Sequence, residues 1–206
     1  MLLSVSDVSV SRGGRVLLEG VTFDLQAGRA IVLTGKNGIG KTSLLRTLAG
    51  LQGANSGHVE VPENTLVYSA HLDGIKHALS VAENLQFWGA VFGTSNLDTA
   101  LETFDLSDLR NEMAGALSAG QKRRLGLARL LVTGRRIWLL DEPTVSLDHY
   151  SLKQLTRVIN DNLGAGGSAI IATHAALDLN GLEEIIDLGT FAATKMDLAT
   201  SEEAFL

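Results

Sequence analysis

Length, composition and charge set the first limits on what this chain can be. Its 206 residues are 45% hydrophobic and 19% charged, which predicts one folded globular domain and excludes a disordered chain. The formal net charge of −6 argues against nucleic acid as the main partner, because surfaces that bind phosphate backbones are usually basic. The absence of cysteine excludes disulfides, thiolate metal sites and covalent haem attachment, and it fits a reducing cytosol.

The N-terminus and the hydropathy pattern give no sign of membrane insertion. The first ten residues lack the basic segment and the cleavage site of a signal peptide. No apolar run approaches the ~18 residues that a membrane-spanning helix needs. We therefore expect any membrane role to run through a partner.

The N-terminal third predicts strands and one helix. Residues 2–11 and 21–26 alternate apolar and polar side chains, as half-buried antiparallel strands do, and glycines occupy the turn between them. A short apolar strand at 30–34 ends at glycine and leads into a helix at 41–51. Two further short strands are predicted at 58–62 and 65–70.

The rest of the chain predicts a helical segment and then a second α/β portion. Helical spacing runs from about 79 to 117. The elements predicted after it are a helix at 118–132, a strand at 137–141, a helix at 151–163, a strand at 168–173, a helix near Ala176 and closing strands at 183–189 and 190–196. We interpret 1–206 as a single α/β domain with a helical subdomain inserted at about 71–118.

A phosphate-binding loop is the strongest motif. The sequence GKNGIGKT fits G-x-x-x-x-G-K-[ST] and stands between a buried strand and a helix. Its glycines let successive N–H groups converge on phosphate oxygens, while Lys41 faces the β- and γ-phosphates and Thr42 offers a hydroxyl to Mg²⁺. The alternative is a glycine-rich turn with a chance lysine. The predicted ATP contacts are Gly35, Lys36, Asn37, Gly38, Ile39, Gly40, Lys41 and Thr42.

Two carboxylates follow the apolar strand IWLL. Ligands of open α/β sheets bind at the carboxyl ends of strands, so Asp141 and Glu142 point to the same crevice as the phosphate-binding loop. Asp141 fits the role of holding Mg²⁺ through water, and Glu142 is the candidate base for the attacking water. The alternative is a pair of acids that only caps the next turn.

His174 ends another apolar strand and is a candidate for the same crevice. There it would hydrogen-bond the γ-phosphate of ATP and respond to its loss. A lone histidine after a strand is equally compatible with a structural role.

A second phosphate-binding element is predicted at LSAGQKRR. Ser118 can cap the helix that follows, and N–H groups at the start of a helix attract anions. Lys122, Arg123 and Arg124 add positive charge near that end. Taken alone, the basic run is also typical of a solvated helix face.

These motifs, in this order and spacing, resemble the ABC-type ATPase domain. The resemblance implies an α/β P-loop NTPase fold of ABC type with an N-terminal antiparallel β portion and a helical subdomain. LSAGQ is similar to the family signature LSGGQ, with Ala119 in place of one glycine. In that family two copies form a head-to-tail dimer, in which the signature of one covers the ATP held by the other. The resemblance implies that Ser118, Ala119, Gly120 and Gln121 act in trans and that Asp148 lies along the dimer interface.

The stretch from Asp73 to Leu85 is similar to the ATPase subunit of the cytochrome c maturation haem exporter. This resemblance implies integral membrane permease subunits as partners and a peripheral location on the cytoplasmic side of the bacterial inner membrane. It also implies ATP hydrolysis tied to haem export or to release of a haem-loaded chaperone. We expect no direct haem ligation by this chain, because its five histidines are scattered: His58, His71, His77, His149 and His174.

Two positions depart from the family pattern. Arg12 stands near the place of the aromatic residue that stacks on adenine. A guanidinium plane can stack on a base instead, although a solvated turn arginine explains this position equally well. Leu72 stands where a glutamine is expected, and leucine can neither bind Mg²⁺ nor orient water.

Three other functions remain open at this point. The first is an ABC ATPase subunit for a different cargo, and only the similarity at 73–85 argues against it. A soluble ABC module of the DNA-repair or translation type predicts a coiled-coil insertion or a second P-loop, which the sequence lacks. A small-molecule kinase with a P-loop needs an arginine-rich lid and has no use for LSAGQ.

Overall fold

Two β-sheets organise the residues that the computed structural model describes, which are 1–70, 74–94 and 96–193. One sheet is antiparallel, in the order β2-β1-β4, and the other is parallel, in the order β5-β6-β7-β3-β8. The strands are β1 Leu3–Arg12, β2 Arg15–Leu25, β3 Ala30–Thr34, β4 Ser56–Glu60, β5 Leu66–Ser69, β6 Ile137–Asp141, β7 Ser168–Ala172 and β8 Glu183–Asp187. The helices are α1 Lys41–Leu48, α2 Val81–Phe92, α3 Leu97–Thr103, α4 Ala119–Val132 and α5 His149–Gly164.

The parallel sheet separates two hydrophobic cores. Strand β6, between β5 and β7, is buried along its whole length, because helices or the antiparallel sheet cover both of its faces. Alternate residues therefore enter different cores. Ile137 and Leu139 pack with α1 and the antiparallel sheet, whereas Trp138 and Leu140 pack with α2, α4 and α5.

The antiparallel sheet contains an irregularity that its sequence requires. Val5 and Val8 are both buried although they are three residues apart, a spacing that would place them on opposite faces of a regular strand. The pairing with β2 shifts between them, and Asp7 takes a left-handed conformation with φ 52°. Gly57 on β4 accommodates this bulge, because a Cβ there would come within 2.2 Å of the Asp7 carbonyl oxygen.

The helical segment packs on α4, and one buried amide holds the loop that precedes α2. Ser80 and Glu83 form a capping box at the start of α2, and Gly93 ends the helix in a left-handed conformation. Asn84 is only 3% exposed. Its Oδ1 accepts from the Lys76 N–H at 2.9 Å, and its Nδ2 donates to the carbonyls of Lys76 and Ser80 at 3.0 and 2.9 Å.

The predicted elements agree with the structure over most of the described chain. The predicted subdomain begins at residues 71–73, which lie outside the described residues, so its limits at 71–118 stay a prediction. The helices predicted at 41–51 and 151–163 are α1 and α5, with ends that differ by up to three residues.

Two predicted elements near the C-terminus are wrong. No helix forms near Ala176, since polar side chains give the backbone local alternatives: the Thr173 hydroxyl accepts from Ala175 N–H, and the Asp178 carboxylate from Asn180 N–H. Over 190–193, the described part of the strand predicted at 190–196, the chain instead forms the end of a 3₁₀ turn at Leu188–Phe191, started by the Asp187 side chain, and a single bridge from Ala192 to β2. Residues from 194 onward lie outside the described residues.

We expect Asn84→Ala to lower the free energy of unfolding by about 2–3 kcal/mol, because several backbone groups of the loop before α2 lose their partner in a buried place. Urea denaturation measures this loss. The matched control is Gln86→Ala, an exposed position on the same helix, which should change stability by less than about 0.5 kcal/mol. Equal stability of the two variants would contradict this role of the amide.

Candidate functional site

Three neighbouring strands deliver polar residues to one edge of the parallel sheet. In the pairing of β6, β7 and β3, Asp141 lies opposite Ala172, and Ala172 lies opposite Leu33. The segments that follow these strands therefore start at the same level. They carry the predicted phosphate-binding loop, the carboxylate pair and His174.

The loop between β3 and α1 exposes the start of a helix. Gly40 is the residue before α1, at φ 126°, and no side chain caps the helix there. A Cβ on Gly40 would come within 3.0 Å of the Leu18 side chain, so the strand behind the loop also demands glycine. The uncapped N–H groups of the first turn and the dipole of α1 favour an anion at this position.

Lys41, Glu142 and His174 meet at this edge, although the sequence separates them widely. Lys41 is 7% exposed, and its Nζ lies 3.0 Å from the Gly35 carbonyl oxygen and 3.0 Å from His174 Nε2. Glu142 Oε1 lies 3.7 Å from Lys41 Nζ and 3.6 Å from His174 Nε2. Asn37 Oδ1 is 3.0 Å from the same histidine nitrogen. The structure thus brings together the side chains that the motifs singled out.

Asp141 has partners at both carboxylate oxygens. The Thr42 hydroxyl donates to Oδ1 at 3.1 Å, and the Tyr68 hydroxyl donates to Oδ2 at 3.1 Å. Burial, together with the neighbouring Asp141 carboxylate, raises the pKa of Tyr68 to about 12, so the phenol keeps its proton at neutral pH and acts as a donor. Sequence reasoning missed Tyr68. The available signal was a tyrosine one residue from the end of a short strand predicted beside the sheet edge.

A cavity of about 350 Å³ opens beside these residues. It is lined by Arg12, Leu17, Asn37, Gly38, Gly40, Lys41, Thr42, Ser43 and Glu142. Arg12, at the end of β1, lines this cavity, and its contact with adenine stays a prediction. Of the predicted ATP contacts, Gly35, Lys36 and Ile39 do not line the cavity, and Ile39 instead packs against the core under the antiparallel sheet.

Comparison with known proteins identifies the chain. A model of the ABC transporter family matches residues 18–145. The "Cytochrome c biogenesis ATP-binding export protein CcmA" of Roseobacter denitrificans is 55% identical over all of this chain and all of its own length. The CcmA protein of Paracoccus denitrificans is 56% identical over 95% of this chain and 92% of its own length. The chain belongs to the ABC transporter family.

Solved structures of ABC proteins share this fold. An ATP-binding protein from Pyrococcus furiosus, assigned to an ABC transporter, is 26% identical with a TM-score of 0.82, over 93% of this chain and 99% of its own. The cbiO1 protein of Clostridium perfringens has a TM-score of 0.75 at 22% identity, over 91% and 85% of the two chains. The predicted ABC-type α/β fold is confirmed, and family membership implies nucleotide binding and ATP hydrolysis. Among the described residues, no helix is long and apolar enough to cross a membrane.

The residues predicted as the ABC signature, 118–121, lie at the start of α4. Ser118 and Gln121 form a capping box, in which each side chain binds the backbone N–H of the other. Ser118 and Ala119 are exposed, and none of the residues at 118–121 lines the cavity.

The basic run after the signature is not simply a solvated face. Arg123 is 4% exposed, and its Nη2 donates to the Glu142 carbonyl at 2.7 Å, so that alternative is wrong for this residue. Arg124 forms an ion pair with Asp105 at 3.6 Å, and Lys122 Nζ donates to the Gly115 carbonyl at 3.0 Å. Arg123 thereby connects the signature helix to the backbone of the candidate base.

Asp148, the residue predicted at the dimer interface, lies at the start of α5. Asp148 is exposed and caps α5 by accepting from the Ser151 N–H at 2.7 Å, a bond that lowers the pKa of its carboxyl. Its place at a dimer interface stays a prediction. His71 and Leu72 lie outside the described residues. Within the described chain, no three histidine, aspartate or glutamate side chains cluster as a metal site.

Proposed function

We propose that this chain is the ATP-hydrolysing subunit of a membrane ABC complex that serves c-type cytochrome biogenesis. The observation that carries the enzymatic part is the convergence of Lys41, Glu142 and His174 beside the uncapped start of α1. Support for the biological part comes from the CcmA relatives, which cover the whole chain at more than half identity.

ATP binding replaces contacts that the site now makes with itself. The buried Lys41 ammonium lies between a carbonyl, a carboxylate and an imidazole, and its charge is the natural partner of the β- and γ-phosphates. The N–H groups of the first turn of α1 surround the same phosphates. Arg12 reaches the cavity from the antiparallel sheet and stacks its guanidinium plane on the adenine base.

Thr42 and Asp141 fit a Mg²⁺ ion that accompanies the nucleotide. They offer a hydroxyl and a carboxylate oxygen 3.1 Å apart, which are hard ligands of the type that Mg²⁺ prefers. Two protein oxygens leave the other positions to phosphate and water, in keeping with the absence of a larger acidic cluster in the described part of the chain. When bound, the ion neutralises charge on the phosphate oxygens.

Glu142 acts as the base in hydrolysis. Its carboxylate accepts a proton from water as the water oxygen bonds to the γ-phosphorus, and the bond from that phosphorus to the β–γ bridging oxygen breaks. The Glu142 backbone is held by its N–H, which donates to Ala172 at 2.8 Å, and by Arg123 at its carbonyl. With φ 48°, this non-glycine residue occupies a conformation that needs such support. His174 donates to a γ-phosphate oxygen.

A second copy of the chain completes the site. The start of α4 is a second helix N-terminus with an exposed serine, and its residues 118–121 do not line the cavity of their own chain. In a head-to-tail dimer, Ser118, Ala119, Gly120 and Gln121 of one copy meet the γ-phosphate held by the other, and Asp148 lies along the interface. ATP holds this interface together, and hydrolysis releases it.

The partners are integral membrane permease subunits, and the location is the cytoplasmic side of the bacterial inner membrane. A groove of about 240 Å³ between the parallel sheet and the helical segment offers them an apolar docking surface. Phe87 and Val91 expose further apolar area on α2, which borders that groove. Nucleic acid and haem are not ligands of this chain.

We expect Glu142→Gln to retain ATP binding and to lower the ATPase rate at least about 100-fold, because the amide keeps the shape and loses the base. The variant should accumulate as an ATP-bound dimer in gel filtration. Glu63→Gln, in an exposed turn, is the matched control and should behave as the parent. Hydrolysis by Glu142→Gln at the parent rate would show that another group is the base.

We expect Gly120→Asp to block dimerisation and hydrolysis while the monomer still binds ATP. A carboxylate at this position faces the partner's γ-phosphate, and like charges repel strongly in a partly desolvated site. In the monomer, a Cβ at Gly120 has no atom within 4 Å, so the substitution is accommodated. Gly164→Asp, which also has open space around it, is the control. Loss of ATP binding by monomeric Gly120→Asp would place the signature in cis.

The biological role is tested by complementation. In a Paracoccus denitrificans strain without its CcmA protein, this chain should restore haem-stained c-type cytochromes, as should Glu63→Gln, whereas Glu142→Gln should not. If the parent chain hydrolyses ATP but restores no cytochrome, the ATPase assignment stands and the cargo is a different one.

A further inference from the structure

Tyr68 links the apolar groove to Asp141. Its side chain lines the groove, where the other walls include Leu51, Leu66, Trp88, Phe92 and Arg129. These walls come from the segment after α1, from β5 itself, from α2 and from α4. The Tyr68 hydroxyl reaches Asp141 Oδ2 at 3.1 Å. Thr42, which lines the nucleotide cavity, binds the other oxygen of Asp141, so two hydrogen bonds connect the groove with the cavity.

The Tyr68 hydroxyl supplies one of the two hydrogen bonds to the Asp141 carboxylate, which has almost no access to water. Asp141 is 2% exposed, so each of its oxygens needs a partner within the protein. Thr42 binds Oδ1, and Tyr68 binds Oδ2. With one donor on each oxygen, the carboxylate group is held in one orientation about its Cβ–Cγ bond. Without the phenol, the plane of the carboxylate is free to turn away from Thr42.

Packing of the ring supports this contact. A phenol has only two side-chain torsions, and Tyr68 packs against the hydrophobic core that includes Leu44 and Leu45 of α1, the helix that carries Thr42. Hydrogen bonds from Thr42 and Tyr68 to the same carboxylate make Thr42, Asp141 and Tyr68 one connected unit.

We propose that Tyr68 is a positioning residue that orients Asp141 for the metal–nucleotide complex. The proposal rests on the proposed function, since it takes Thr42 and Asp141 as the residues that hold Mg²⁺. Tyr68 is not among the residues that line the nucleotide cavity, so its action on the bound complex goes through Asp141. Its hydroxyl orients the Asp141 carboxylate. If Tyr68 only filled space, its ring would matter and its hydroxyl would not.

The test compares nucleotide affinity with and without metal. The probe is trinitrophenyl-ATP, titrated into the full chain in excess Mg²⁺ and again in EDTA, and the ratio of the two dissociation constants measures how strongly metal and nucleotide bind together. In Tyr68→Phe, which keeps the ring, we expect this ratio to fall about three- to ten-fold, as for the loss of one hydrogen bond. Affinity in EDTA should stay unchanged. The Mg²⁺ concentration that supports half-maximal ATPase should rise in parallel.

Two further variants make the result decisive. Tyr150→Phe removes the hydroxyl of the other tyrosine in the chain, which is exposed on α5, and should leave the ratio unchanged. Tyr68→Leu removes ring and hydroxyl and should lower the ratio as Tyr68→Phe does, with an added loss of thermal stability. An unchanged ratio in Tyr68→Phe, with a fall only in Tyr68→Leu, overturns the proposal and assigns the ring a packing role. If Mg²⁺ does not raise the nucleotide affinity of the parent chain, the proposed Mg²⁺ site is wrong. The role of Tyr68, which depends on that site, is then wrong as well.

Discussion

The register of three buried parallel strands is the constraint on which the site depends. Because β6, β7 and β3 are paired side by side, the residues that follow them reach the same edge at the same height. Both faces of β6 are covered by core, so its position is fixed by packing on two sides as well as by the backbone ladder. Lys41, Glu142 and His174 can therefore meet within 3.7 Å without any local sequence relation among them.

The electrostatics at this edge of the parallel sheet follow from the meeting of Lys41, Glu142 and His174. A lysine ammonium that is almost completely buried needs compensation, and the carboxylate of Glu142 and the carbonyl of Gly35 supply it. In the proposed nucleotide complex, phosphate oxygens would take over this role at Lys41. The buried charge would then be paired both before and after nucleotide binding. Asp141, the second carboxylate at this edge, does not compensate Lys41, because the Thr42 and Tyr68 hydroxyls bind its two oxygens.

The sequence predicted well those features that depend on neighbours along the chain. The phosphate-binding loop, the strand IWLL and the capping serine of the signature helix are local patterns, and each lies where the pattern placed it. Tyr68 and Arg123 were not predicted as partners of Asp141 and Glu142, because those contacts join segments 73 and 19 residues apart and follow only from strand order and helix packing. The helix predicted near Ala176 is wrong because of local contacts. The side chains of Thr173 and Asp178 bind nearby backbone N–H groups, and these turns compete with helix formation.

Helix α1 and strand β5 connect the nucleotide cavity with the groove on the far side of the sheet edge. The first turn of α1 lines the cavity, and Ala49 and Leu51, just after its last turn, line the groove. On β5, Tyr68 lines the groove, and its hydroxyl binds Asp141, whose other oxygen binds Thr42 of the cavity wall. A rigid helix and a paired strand do not bend independently of their ends. If the proposed permease subunits dock on the groove, movement there would therefore reach Asp141 and Thr42 through one tyrosine side chain.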